Sequence, residues 1–479
     1  MDSTLEMLKN MAKSSLFSGG CMLALLSALV PGAQALGGAN WEEPADTPIA
    51  DLEKVLSGKG VYGFIFNSSY TPDEKYGQYN WCNMPHVRRS EYKEAPDDYE
   101  LQYIEVIHRH HKRSPYESNL FPHDTGSWKC GSEDSLNRNC SYPQITTEGI
   151  ADSWNHGRDL YAVYYELLNF IPKTLDSKKV TFRVTNNEIT TQVARPLIDG
   201  MYEPEEDTPL IVQKHNDSLE PDYPCPAADA TIGLIKDSDK SRWQDHLKRS
   251  KPLFDDLDAV SGVPKDSEDW HSSFDHYFDN LSARLCHDMS LPCNIEDKSA
   301  CITQDQADEV FRLGQYEYSY LYRQVIESLD TSAASYGLWV GEVAQHIRDQ
   351  MTGEDGEMVY RHNVAHDGSI SRLLSILQID VMVWPGMGSE VVFELYRKKK
   401  GHSHGEDYMV RVLFGGKPLL SSHPDLGLME FIPANTLLGY FDDLVGKNAS
   451  AVPEMCHTMP EWNEPCIIRS LEPPGLDEL

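Results

Sequence analysis

The stretch Ile107-His108-Arg109-His110-His111-Lys112-Arg113-Ser114-Pro115-Tyr116-Glu117 follows an apolar run of Tyr103, Ile104, Val106 and Ile107, which reads as a short buried strand. Arg109 and Arg113 stand four residues apart with His110 between them, and Pro115 ends the turn. A phosphate-handling nucleophile site needs this set. Imidazole attacks phosphorus while guanidinium forks hold the non-bridging oxygens in line. Taken alone, the segment has two rival readings. Many His/Arg-rich stretches are solvated surface loops, and His108, His110 and His111 are also metal-ligand types.

Composition narrows the choice. The chain has 479 residues, 40% hydrophobic and 10% aromatic, enough for a large core and about two to three domains. Its formal charge of -33 argues against a nucleic-acid partner, because phosphate backbones reward basic surfaces. A small phosphorylated substrate needs only a local positive pocket. An acidic surface also suits an acidic medium, where carboxylates are protonated and self-repulsion falls.

The N-terminus has the pattern of a secretory leader. Lys9 and Lys13 precede a mostly apolar stretch at 16–30 that is short for a membrane span. The Ala33-x-Ala35 pattern then predicts cleavage after Ala35, with an uncleaved signal anchor as the alternative. No later stretch is long and apolar enough to cross a bilayer, so no stable membrane insertion is expected after cleavage. Of ten cysteines, Cys21 leaves with the leader. The odd remainder predicts mostly disulfides and one leftover thiol, with Cys130/Cys140 and Cys456/Cys466 as plausible local loops. Asn67, Asn139, Asn216, Asn280 and Asn448 each open an Asn-x-Ser triplet, so a secreted or cell-surface glycoprotein is expected.

Residues 36–100 are irregular and read as an N-terminal extension. Strand signals at 102–108 and 180–185 alternate with helical spacing through Leu160, Tyr161, Tyr164 and Leu168, and again at about 190–201. The alternation predicts an α/β fold, with a largely parallel sheet covered by helices on both faces. Segment 215–354 is charged and helical, with long patterns at 304–330 and 332–351, and reads as an inserted helical cap. Strand signals return at 357–360, 391–396 and 408–413, with a helix at about 368–377. The α/β core is therefore expected at 101–214 and 355–440, followed by a tail at 441–479. Lys398-Lys399-Lys400-Gly401-His402-Ser403-His404 reads as a solvated hairpin tip.

Phosphate-ester hydrolysis would need three segments to converge: Arg109, His110 and Arg113; Arg183 in a strand; and His366-Asp367 just before a helix. In isolation Asp367 reads as a helix N-cap. In this order the segments resemble the histidine acid phosphatase family, the acid phosphatase/phytase branch of the phosphoglycerate-mutase-like histidine phosphatases. The family's R-H-G-x-R-x-P is met by Arg109-His110-His111-Lys112-Arg113-Ser114-Pro115, its R-x-T by Arg183-Val184-Thr185, and its H-D pair by His366-Asp367 ahead of Leu373-Leu374. Trp384-Pro385-Gly386-Met387-Gly388-Ser389 and Val410 to Lys417 also agree.

The resemblance implies a phosphoric monoester hydrolase with His110 as nucleophile and Asp367 as proton donor to the leaving group. Arg109, Arg113, Arg183 and His366 would bind the phosphoryl oxygens, and no cofactor or metal is expected. One residue departs from the family: His111 replaces the glycine after the nucleophile. Its imidazole would narrow the pocket, add a ligand contact or point away, which makes it a candidate pocket modifier. It also keeps open an impaired relative that binds phosphorylated ligands without turnover. A metal-binding protein using His108, His110, His111, His402 and His404 is the third reading.

Overall fold

The computed structural model describes residues 39–61, 81–124, 130, 140, 142–203, 210–214, 217–237, 242–399 and 407–458. The predicted leader, Asn67, Asn139, Asn216, Cys466 and the His402/His404 turn lie outside the described residues.

The strands are β1 (Tyr99–Arg109), β2 (Val180–Val184), β3 (Ile211–Val212), β4 (Tyr360–Ala365), β5 (Glu390–Lys398), β6 (Tyr408–Phe414), β7 (Lys417–Pro418) and β8 (Ile432–Pro433). They form one sheet in the order β3-β2-β4-β1-β5-β6-β7, with β8 on β6. β1, β2, β3 and β4 run parallel. From β5 outward every pairing is antiparallel. Nine residues separate β5 from β6, few enough for antiparallel neighbours, whereas parallel neighbours need longer crossovers.

β4 starts where the expected strand at 357–360 ends. Arg361, His362 and Asn363 break the apolar pattern, yet each finds a polar partner in place. Asn363 Nδ2 donates to Glu105 Oε1 at 2.8 Å, Arg361 Nη2 donates to Asp355 Oδ1 at 2.6 Å, and His362 Nδ1 pairs with the Tyr360 hydroxyl at 2.7 Å. A strand built from paired polar groups leaves no hydrophobic alternation to read.

Helices cover both faces. On one side Ile104, Val106, Phe182, Tyr360 and Val392 pack with α1 (Thr147–Tyr161) and α2 (Glu188–Met201). These two helices cross in close contact: a Cβ on Gly157 would lie 2.0 Å from the Leu197 carbonyl oxygen. On the other side Tyr103, Ile107, Phe393 and Val412 pack with α3 (Asp275–Cys286), α4 (Gln304–Ser319), α5 (Ser328–Thr352) and α6 (Asp367–Ile376). The helical pattern at 304–330 is interrupted by a π-helical turn at Tyr320–Gln324, after which Val325 is extended. Among the described residues, no helix is long and apolar enough to cross a membrane.

Disulfides join Cys82–Cys286, Cys130–Cys140, Cys225–Cys456 and Cys293–Cys301. Cys130/Cys140 is the expected local loop. Cys456 is not paired with Cys466: the helix Val452–His457 packs on α5 and brings Cys456 to Cys225, 231 residues away in sequence. Asn280 is also corrected as a glycan acceptor. It is fully buried in α3, where its amide donates to Asn119 O at 2.9 Å and its oxygen accepts from Arg284 Nε at 3.0 Å. A glycan has no room there. Asn448 is exposed.

Candidate active site

The parallel pair β1/β4 ends with Arg109 beside Ala365. Just beyond, His110 N donates to Ala365 O at 3.0 Å, and Gly388 N donates to His110 O at 3.1 Å. The nucleophile candidate is thus pinned between one strand end and the 385–389 turn, at the carboxyl edge of the parallel strands where open α/β sheets bind ligands. Gly388 has φ +71°, and a Cβ there would lie 3.0 Å from the His111 ring, so the turn requires glycine.

A cavity of about 440 Å³ opens at this edge, lined among others by Arg109, His110, Arg113, His366 and Asp367. His110 Nδ1 donates to His111 O at 3.0 Å, which leaves Nε2 with the lone pair. Burial, then Arg113, Arg109 and His366, hold its pKa well below the usual imidazole value. A neutral, nucleophilic ring follows. His366 faces it with ring centroids 5.6 Å apart, and its Nε2 pairs with Thr185 Oγ1 at 2.9 Å. Burial, opposed by Asp367 and reinforced by Arg109 and Arg113, brings its pKa down to about 4.

Asp367 is the first residue of α6, and the cap position belongs to His366, whose side chain makes no capping bond. Asp367 Oδ2 instead meets Arg109 Nη2 and Trp384 Nε1, each at 2.9 Å. Burial pushes the Asp367 carboxyl up, but Arg109, the Trp384 hydrogen bond and Arg113 outweigh it and hold the pKa below the usual value. Arg113 is braced by α3: its Nη2 lies 3.0 Å from Asp279 Oδ1, and Nη1 lies 3.2 Å from Asp279 Oδ2.

One expected phosphate ligand sits elsewhere, and His111 takes the last of its three alternatives. Arg183 does not line the cavity. Its guanidinium is held by Glu342 at 2.7 Å, Asp217 at 3.1 Å and Ser218 at 2.7 Å. His111 points out of the cavity toward α1, where its Nδ1 pairs with Ser153 Oγ at 3.0 Å.

Other lining groups escaped the sequence reading. Asp275 and Asp279 lie one turn apart on α3, and Glu220 and Asp222 add two more carboxylates. An acidic pair at i, i+4 on a charged helix is indistinguishable in sequence from a solvated face. Asp275 is half-buried in the cavity wall, and its pKa is pushed up to about 7 by desolvation there, then by Asp279, Asp367 and Glu317, with Arg113 opposing.

Residues 100–415 match the histidine phosphatase superfamily, branch 2. A probable acid phosphatase of Dictyostelium discoideum is 27% identical over 217 residues, 39% of this chain and only 44% of that protein. The lysosomal acid phosphatase of Xenopus laevis is 22% identical over 320 residues, 63% of this chain and 68% of that protein. Among solved structures, Hafnia alvei phytase in complex with myo-inositol hexakis sulphate superposes with a TM-score of 0.51 at 13% identity, over 74% of this chain and 99% of that one. That likeness is one of fold. Since the family match spans well over half of its length, the chain belongs to branch 2 of the histidine phosphatase superfamily.

Proposed function

We propose that the protein hydrolyses phosphate monoesters through a phosphohistidine on His110. The observation that carries this reading is the His110 tautomer: with Nδ1–H committed to His111 O, the Nε2 lone pair is available in a cavity that also holds Arg109 and Arg113. In the first step Nε2 bonds to phosphorus, the ester P–O bond breaks, and Asp367 gives its proton to the departing alkoxide. In the second step water adds to phosphorus, its proton returns to Asp367, and the N–P bond breaks. Arg109, Arg113 and His366 stabilise the oxygens throughout. A phosphoryl group bound to Arg109 weakens that cation's hold on Asp367, so the carboxyl takes up a proton as substrate binds.

The test is rapid-quench trapping with labelled substrate, expected to place acid-labile label on His110. Label on a serine, or none in a protein that turns over, would overturn the route. Binding without turnover is the second reading. It is favoured by Arg183, whose absence from the lining leaves the cavity with fewer cations than the resemblance implies. Secretory-pathway residence is part of the proposal, supported by the disulfides, which persist in oxidising compartments.

The carboxylates set the pH dependence and substrate class. Below pH about 7 Asp275 is neutral; above it, another negative charge joins Asp279, Glu220 and Asp222 against a phosphate dianion. We expect kcat/KM to decline above pH about 7, and the Asp275→Asn variant to lose that decline. The linkage has the same sign. The folded pKa lies above the ordinary aspartate value, so the folded state holds the proton longer, and stability falls as pH rises from about 4 to 7. Melting curves at pH 5 and 8 should converge in Asp275→Asn; an unchanged gap would reject the role given to Asp275.

The other carboxylates of the lining, Asp279, Glu220 and Asp222, repel additional phosphates on a substrate. Monophosphates of neutral or amine-bearing alcohols should therefore exceed an inositol hexakisphosphate in kcat/KM by at least about tenfold, or 1.4 kcal/mol. Parallel assays of ethanolamine phosphate and the hexakisphosphate at pH 5 measure this, and a reversed order would refute it.

A further inference from the structure

We infer that His108, His111 and His156 form a site for a divalent transition metal of the zinc class, buried behind the catalytic turn and separate from the phosphate cavity. Successive residues of the turn diverge: Arg109 and His110 line the cavity, while His108 and His111 turn toward α1 and meet His156. All three rings are fully buried. One ring nitrogen from each lies within 4.8 Å of the other two.

Proton accounting singles out which nitrogens face inward. The Arg109 carbonyl can only accept, so His108 Nδ1 donates to it at 2.8 Å and Nε2 is bare. Ser153 Oγ donates its hydrogen to Gly149 O at 2.7 Å, so it accepts from His111 Nδ1 at 3.0 Å, and His111 Nε2 is bare. Glu390 Oε2 accepts from His156 Nε2 at 2.7 Å, leaving His156 Nδ1 bare.

Three lone pairs therefore converge in a buried space with no proton of their own. His108 Nε2 has no hydrogen-bond partner among the described residues. His111 Nε2 and His156 Nδ1 stand 3.2 Å apart, close to the ~3.3 Å that two zinc–nitrogen bonds at a tetrahedral angle require. Each outward nitrogen already has a carbonyl, hydroxyl or carboxylate acceptor, the outer-shell pattern that orients metal-binding imidazoles.

This arrangement gives His111 a role where the resemblance has glycine. A metal on its ring would anchor the residue whose carbonyl holds the His110 tautomer.

The test uses the full chain. Protein made in zinc-supplemented medium should carry about one zinc per molecule by elemental analysis, and zinc should raise the Tm of the stripped protein. Cobalt(II) in its place should give the visible absorption of a nitrogen-rich, near-tetrahedral ion. His156→Ala and His111→Gly should each lose the ion, while a His402→Ser/His404→Ser double variant keeps it. Wild-type protein with neither ion nor Tm shift would overturn the site, leaving a neutral hydrogen-bond chain headed by a protonated Glu390. So would a folded His156→Ala that retains stoichiometric zinc. If His156→Ala fails to fold, wild-type stoichiometry and the cobalt spectrum decide alone.

Discussion

Replacing His110 with alanine should lower kcat for phosphate monoesters by about 10,000-fold or more, the scale on which removal of an enzyme nucleophile is felt. The loss should be one of chemistry rather than binding. Arg109 and Arg113 remain, each held by contacts that do not involve His110: Arg109 by Pro385 O at 2.7 Å and Asp367, Arg113 by Asp279. Inorganic phosphate should therefore still raise the Tm of the variant. The same substitution removes a buried ring held to His111 O at 3.0 Å, so circular dichroism must first establish that it folds. A folded His110→Ala with turnover within tenfold of wild type would refute covalent catalysis on this residue.

Asp367→Ala carries the second large effect, and its signature is selective. General-acid catalysis is worth about 100- to 10,000-fold when the departing alkoxide is strongly basic. An alkyl phosphate should lose that much in kcat, whereas an aryl phosphate, whose phenolate leaves without a proton, should lose far less. The variant also releases Arg109 Nη2 from its 2.9 Å ion pair, freeing a cation for phosphate, so KM should fall or hold steady. Kinetics on an alkyl and an aryl substrate at pH 5 separate the outcomes. Equal losses on both would point to a positioning role for Asp367 through Arg109 and Trp384.

The contrast between Arg183 and Asp275 explains what could be read in advance. Arg183 stands in a strand of the right order and composition, so local pattern placed it with the phosphate ligands. Its direction was decided by Glu342 and Asp217, from segments far away in sequence. Asp275 shows the reverse. Nothing local marks it, yet burial beside Asp279 and Asp367 makes it a neutral acid in the cavity wall. The antiparallel half of the sheet was underread for a related reason: strand direction depends on connections, and periodicity does not encode them.

By itself the sequence determined the α/β architecture, the parallel strands whose ends carry Arg109-His110 and His366-Asp367, and the family. These rest on contiguous signals: apolar alternation, short motifs and their order. The tertiary structure alone decided that Arg183 leaves the pocket, that carboxylates from α3 enter it, that Cys456 joins Cys225, and that His111 turns away from the pocket toward His108 and His156. Each of these outcomes depends on distant segments meeting. Burial and charge act on a side chain through its neighbours in space, and a linear chain does not name those neighbours.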